Sequence, residues 1–368
     1  MPKKVLIVVG TRPNFIKITQ FEKAFAAYGE EFEYRLLHTG QHYDRAMSKV
    51  FFEQLKLKEP DYYLKIEGGT PAVQMGKIII NLSEVITEWQ PQLIVVVGDV
   101  NSTLAAAIAA NKHQVPIAHL ESGLRSRDRG MPEEINRILT DEITDYFFVT
   151  EQSGIDNLKA EGKSDDQIFF VGNTMIDTLV AFDEAIAESP IRDEVGLKDG
   201  EEFVLMTMHR PVNVDTAEAL RKMIDLLQYM TGKYKVVLPL HPRTRNRLQQ
   251  HGLWEEFEAI GNMTLTGPMD YLAFQKLISD SVFVLTDSGG IQEETTFRQV
   301  PCITLRPNTE RPSTIDLGTN ELATFDLVEL QSKIERISQG TYKDGQIPPL
   351  WDGKATERIV AHLSEFLS

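Results

Sequence analysis

The sequence predicts an α/β protein built from two doubly wound halves. Short β-branched runs alternate with longer amphipathic segments along the whole chain, and nearly every run ends in a glycine-bearing turn. A length of 368 residues also exceeds one ordinary hydrophobic core. In the first half Val5–Val9, Tyr34–His38, Leu93–Val97, Ile117–Leu120, Tyr146–Val149 and Ile168–Val171 read as strands. In the second, Phe203–Met208, Lys235–Leu240, Met263–Leu265, Val282–Leu285 and Cys302–Leu305 do so. Intervening stretches such as Leu104–Lys112 and Ala217–Gly232 carry helical periodicity, which argues for parallel sheets covered by helices on both faces. The charged, proline-containing stretch Glu184–Asp199 reads as a linker.

Composition narrows the function classes. The chain is 42% hydrophobic and 25% charged, ordinary values for a soluble globular protein. Its net charge is −16 with no basic cluster, so no nucleic-acid partner is expected. No run of about 18 apolar residues is present, so no membrane insertion is expected. Met1-Pro2-Lys3-Lys4 leads into a strand-like run rather than a signal peptide, and a cytoplasmic location is the expectation. The single cysteine, Cys302, follows Pro301 in an apolar run and reads as a buried structural thiol. No His/Cys/Asp cluster has metal-ligand spacing and no GxGxxG loop occurs, so neither a metal nor another cofactor is expected.

Doubly wound folds bind ligands outside the carboxyl ends of their strands. The residues there are Gly10-Thr11-Arg12-Pro13-Asn14, Thr39-Gly40-Gln41-His42-Tyr43-Asp44, Gly98-Asp99, Glu121-Ser122-Gly123, His209-Arg210-Pro211, His241-Pro242-Arg243 and Asp287-Ser288-Gly289-Gly290. Connecting turns need glycine, but they do not need His, Arg, Asp and Glu together.

The ordered set "GTRPNFIK", "TGQHYD", "VVGDVNST", "HLESGLRS", "MPEEINR", "LTDSGGIQEE" and "TERP" resembles the non-hydrolysing UDP-N-acetylglucosamine 2-epimerases over nearly the whole chain. The resemblance implies a GT-B fold, with two Rossmann-like domains and an active site in the cleft between them. The first domain would span 1–180, the second 181–352, and a C-terminal helix at about 353–368 would return to the first. It also implies a homodimer that interconverts UDP-N-acetylglucosamine and UDP-N-acetylmannosamine without a cofactor, supplying an activated sugar for cell-surface polysaccharide. The family's route eliminates UDP to 2-acetamidoglucal and adds it back, because the C2 proton is not α to a carbonyl.

Site residues follow by position. Asp99, Glu121 and Glu133 match the family's three catalytic carboxylates, with base and acid unassigned among them, and His209 stands near the phosphates or leaving group. Ser288, Gly289 and Gly290 offer donors to a pyrophosphate, and Glu294, one helical turn on, can accept from the ribose hydroxyls. The Arg12 fork suits a phosphate. Arg137 and Arg311 join the UDP-sugar-binding set from their motifs. Lys17 reads either as a site cation or as a solvated helix face, and His241 and Arg243 stay open in the same way. Glu293 and Glu134 read as acidic first-turn residues that favour the helix dipole.

The chain also departs from many bacterial members. It has His209-Arg210-Pro211-Val212-Asn213 where they carry "HRREN", and "QHYDRAM" where they carry "QHREM". In the family those segments hold a second, activating UDP-sugar. Pro211 and Val212 offer it neither charge nor donor, so activation is not expected here. The rival readings are a GT-B glycosyltransferase, a hydrolysing epimerase, a 2-epimerase of a related UDP-sugar, and an inactive UDP-sugar sensor.

Overall fold

The computed structural model describes residues 1–40, 52–66 and 68–367. Gln41–Asp44 of "TGQHYD", and the whole of the "QHYDRAM" departure, lie outside the described residues. The chain divides into two compact units, Met1–Phe182 with Pro349–Ser368, and Asp183–Pro348.

The first unit holds β1 (Lys3–Val9), β2 (Phe32–His38), β3 (Tyr62–Tyr63), β4 (Leu93–Val97), β5 (Ile117–Leu120), β6 (Tyr146–Val149) and β7 (Ile168–Phe170). They form one parallel sheet in the order β3-β2-β1-β4-β5-β6-β7. Every residue of β4 is buried, as expected of a strand covered on both faces. The helix Asn101–Lys112 buries Ala105, Ala106, Ala107, Ala109 and Ala110, whose small side chains let it lie close to its neighbours. The C-terminal helix Ala355–Phe366 packs on Phe21–Ala26 and Thr174–Ala181. Buried Asp177 caps it, accepting from the N–H of Ala355 at 3.0 Å and of Thr356 at 2.6 Å.

The second unit holds β8 (Phe203–Thr207), β9 (Lys235–Pro239), β10 (Met263–Thr266), β11 (Phe283–Thr286), β12 (Cys302–Leu305) and β13 (Asn320–Ala323), all parallel in the order β10-β9-β8-β11-β12-β13. Two edge strands escape a reading by hydrophobic runs. β3 has two residues, and β13 is the polar-containing Asn-Glu-Leu-Ala. The expected linker is not an exposed tether. Asp183–Ala187 and Ile191–Glu194 are short helices, and Ile191, Val195 and Leu197 join the core cluster that contains Phe203 and Leu277. Their charged neighbours face solvent, which gives the stretch its linker-like composition.

Burial pushes the Cys302 thiol up to about 11 and keeps it unreactive. Among the described residues no helix is long and apolar enough to cross a membrane. In each sheet the strand order reverses once, between β1 and β4 and between β8 and β11. Those reversals are where such folds place ligands.

Candidate active site

In the first unit the loops after β1, β4 and β5 meet at the reversal. Asn14 laces two of them together. Its Oδ1 accepts from the N–H groups of Gly10 and Thr11, each at 3.1 Å, and its Nδ2 donates to the Val97 carbonyl at 3.1 Å. A side chain at Gly10 would overlap Ser102, so the loop needs glycine there.

The resulting platform holds a chain of four charges. Arg137 Nη2 donates to Asp99 Oδ2 at 2.6 Å and lies 3.5 Å from Glu121 Oε1, while Lys17 Nζ pairs with Glu121 Oε2. Two cations and two carboxylates therefore balance. Arg137 is 1% exposed, Glu121 5% and Lys17 7%, so the solvated reading of Lys17 gives way to a buried ion pair. Asp99 keeps 22% of its side chain exposed and is the open end of the chain. Glu121 has φ +67°, an uncommon backbone for a side-chain-bearing residue, and such strain gathers at functional sites.

Glu133 and Glu134 divide sharply. Glu133 lies exposed one turn before Arg137 in the helix Pro132–Glu142, with no hydrogen bond or ion pair to any described residue. Glu134 is buried and accepts from Ser126 N–H at 2.7 Å and Arg127 N–H at 3.0 Å. It clamps the loop after Glu121 and is more than a dipole partner. Arg12 is exposed at the start of the helix Arg12–Ile16.

In the second unit Asp287 does what Asn14 does in the first. Fully buried, it accepts from the N–H of His209 at 3.0 Å and of Arg210 at 2.8 Å, and from Asn213 Nδ2 at 3.1 Å. His209 Nδ1 lies 3.0 Å from its Oδ1. Desolvation alone would raise the Asp287 pKa, but these donors hold it below its usual range. A carboxylate on Nδ1 leaves Nε2 of the half-exposed His209 ring for a ligand. His241 packs at 5.3 Å from that ring, and its own Nδ1 caps the helix Pro242–Gln250 by accepting from Arg243 N–H. Burial and the neighbouring His209 lower its pKa. Arg243 forks onto Asp215 at 2.8 and 2.5 Å, an ion pair within the unit.

Ser288, Gly289 and Gly290 follow Asp287 at the head of the helix Gly290–Arg298. A side chain at Gly289 would come within 3.1–3.4 Å of Glu310, Arg311 and Arg306. Arg311 pairs with Glu310 and, through Nε, with Glu293 at 2.7 Å, while Arg306 reaches Glu310 Oε2 at 3.0 Å. Glu293 is thus a buried counter-ion to Arg311, not merely a first-turn acid. Glu294 is 6% exposed, and its charge, after burial, raises the Tyr271 pKa.

Asn14, Asp287, Arg306 and Glu310 were not singled out from the sequence. The available signal was their place inside or beside the strand-end motifs. Among the described residues no group of three or more His, Cys, Asp or Glu side chains is gathered as a metal site.

The sequence profile of the family described as UDP-N-acetylglucosamine 2-epimerase matches residues 26–364. The UDP-N-acetylglucosamine 2-epimerase of Methanocaldococcus jannaschii is 38% identical over 98% of this chain and 99% of its own length. The UDP-2,3-diacetamido-2,3-dideoxy-D-glucuronate 2-epimerase of Pseudomonas aeruginosa is 40% identical over 98% and 99%. The crystal structure of the M. jannaschii enzyme in complex with UDP-GlcNAc and UDP superposes with a TM-score of 0.88 at 36% identity, covering 98% of this chain and 99% of that one. Its relatives share the GT-B type of fold, two parallel-sheet α/β domains. The chain therefore belongs to the UDP-N-acetylglucosamine 2-epimerase family.

Proposed function

We propose that the protein interconverts UDP-N-acetylglucosamine and UDP-N-acetylmannosamine by eliminating UDP and adding it back. The observation that supports this most is the Asp99–Arg137–Glu121–Lys17 chain at the β1/β4 reversal. A carboxylate takes the C2 proton, the C1–O bond breaks with its electron pair leaving on UDP, and 2-acetamidoglucal forms. UDP then re-adds at C1 while a carboxylic acid returns a proton to the other face of C2. Asp99, Glu121 and Glu133 supply base and acid, and Arg137 and Lys17 hold Asp99 and Glu121 in place. No redox step occurs.

The second unit holds the nucleotide in this reading. Ser288, Gly289, Gly290 and Arg311 take the pyrophosphate, as does Arg12, Glu294 takes the ribose hydroxyls, and His209, steadied by Asp287, faces the leaving phosphate beside His241. A bulky residue at Gly290 should abolish UDP binding, and Glu294→Ala should weaken it by about 1.5–3 kcal/mol. Titration calorimetry with wild-type affinity in both variants contradicts the assignment.

Incubation with UDP-N-acetylglucosamine, followed by NMR for UDP-N-acetylmannosamine, tests the activity. The 40% identity to a diacetamido-glucuronate 2-epimerase supports a second reading, the same reaction on a UDP-diacetamidouronate. Equal assays of both sugars separate the two, and turnover of neither sinks both.

Val212 is 75% exposed and follows Pro211 in a short helix. With no Arg–Glu pair there, initial rates should be hyperbolic in substrate. UDP-N-acetylmannosamine alone should react in the reverse direction, and a lag relieved by UDP-N-acetylglucosamine counts against this. The active species is taken to be a homodimer, checked by light scattering for twice 41.6 kDa. The product is taken to feed surface polysaccharide, checked by loss of that sugar on gene deletion.

A further inference from the structure

Beneath the two carboxylate loops lies a pair that the proposed chemistry does not use. His119 and Asp141 are both fully buried. His119 Nε2 is 2.7 Å from the carbonyl oxygen of Gly98, the residue before Asp99, and Nδ1 is 2.6 Å from Asp141 Oδ1. A carbonyl oxygen only accepts, and so does an ionised carboxylate. A neutral imidazole has one N–H and can serve one of these partners. A ring with two N–H groups serves both.

The other Asp141 oxygen completes the connection. Oδ2 accepts from Gly123 N–H at 3.1 Å and lies 2.7 Å from Arg125 Nη1. Gly123 is two residues past Glu121, has φ +78°, and sits so close to Gly154 that no side chain fits. Hydrogen bonds therefore run from the Gly98 carbonyl through His119 and Asp141 to the Gly123 N–H, joining the loop of Asp99 to the loop of Glu121.

The same network accounts for a cation in a dry place. Arg125 is forked by Glu161 at 2.9 and 2.6 Å, so a doubly protonated His119 would balance Asp141, Arg125 and Glu161 as two cations and two carboxylates. Desolvation works to raise the Asp141 pKa, yet His119 and Arg125 beside it outweigh it and hold the carboxyl low. A buried histidine that only filled space would need one partner and would not need to span two loops.

We propose that His119 is a doubly protonated positioning residue which, with Asp141, sets the spacing of the Asp99 and Glu121 carboxylates. It touches no substrate, and its kinetic consequence rests on the reading of those two carboxylates as proton-transfer groups.

The test combines ¹⁵N-histidine NMR with kinetics on the full chain. Wild-type protein at neutral pH should show one ring with both nitrogens protonated, and His119→Asn should lose that signal. A folded His119→Asn should lower kcat about 100-fold, the scale of a small misplacement of reacting groups, with KM and UDP affinity little changed. Asp141→Asn preserves both links, because a neutral ring can donate from Nε2 and accept the new amide at Nδ1. It should show one bare nitrogen and lose less activity than His119→Asn. A bare ring nitrogen on His119 in the wild type at neutral pH overturns the proposal. So does a folded His119→Asn with wild-type kcat. A wild type that epimerises no UDP-sugar instead overturns the functional reading, a failure visible before any variant is made.

Discussion

Asp99→Asn and Glu121→Gln are each expected to lower kcat by about 10²–10⁴-fold, the usual weight of a positioned acid or base. Both variants keep shape and remove a charge. UDP affinity should change little, since the proposed phosphate ligands are Arg12 and the Ser288-Gly289-Gly290 turn. The two sites should not behave independently, because Arg137 lies between them, at 2.6 Å from Asp99 and 3.5 Å from Glu121. Losses in the double variant should therefore fall short of the product of the single losses. Glu121→Gln also leaves Lys17 without its carboxylate, so thermal melts must accompany the kinetics to separate a lost acid or base from a loosened fold. Glu133→Gln, at an exposed position with no hydrogen bond or ion pair to any described residue, should lower kcat on the same scale while leaving the melt unchanged. Full activity in all three variants would leave the carboxylates as loop charges and remove the basis of the proposed chemistry.

Arg137→Met carries the largest expected effect on stability. The side chain is 1% exposed and is shared between two carboxylates, one of them 5% exposed. Removing one partner of a buried ion pair costs about 3–5 kcal/mol because the remaining charge is stranded. Asp99 can turn toward solvent through its exposed edge, and Glu121 keeps its pair with Lys17, so the low end of that range is the expectation. Denaturant unfolding measures it. A loss below about 0.5 kcal/mol, the level of a surface substitution, would show that the cluster does not depend on Arg137. Glu134→Gln makes an informative companion: the amide can still accept from Ser126 and Arg127, so the loop should hold and the effect should be smaller.

Much of this architecture was legible in the sequence because buried parallel strands are written as unbroken apolar runs. Leu93-Ile94-Val95-Val96-Val97 reads the same in both descriptions. Two-residue β3 and the polar β13 carry no such run. The stretch from Glu184 to Asp199 misleads for the opposite reason: its charges dominate composition, while Ile191, Val195 and Leu197 do the packing. At the candidate site the strand-end motifs pointed to Asp99, Glu121, His209 and the Ser-Gly-Gly turn, but not to their partners. Pairings such as Lys17 with Glu121, Glu293 with Arg311 and Asp287 with His209 join residues that the chain brings together only when its sheets form. Glu133 and Glu134 look alike in sequence, and only the return of the Ser126–Arg127 loop over the helix sets them apart.

The most direct test of the proposed chemistry is turnover of UDP-N-acetylglucosamine in deuterium oxide. If a protein carboxylic acid returns the C2 proton after exchange with solvent, the product carries deuterium at C2. Prolonged incubation should then also release a little UDP and 2-acetamidoglucal. Epimerised product with protium at C2, and no glycal at any time, would contradict elimination and re-addition through Asp99, Glu121 and Glu133.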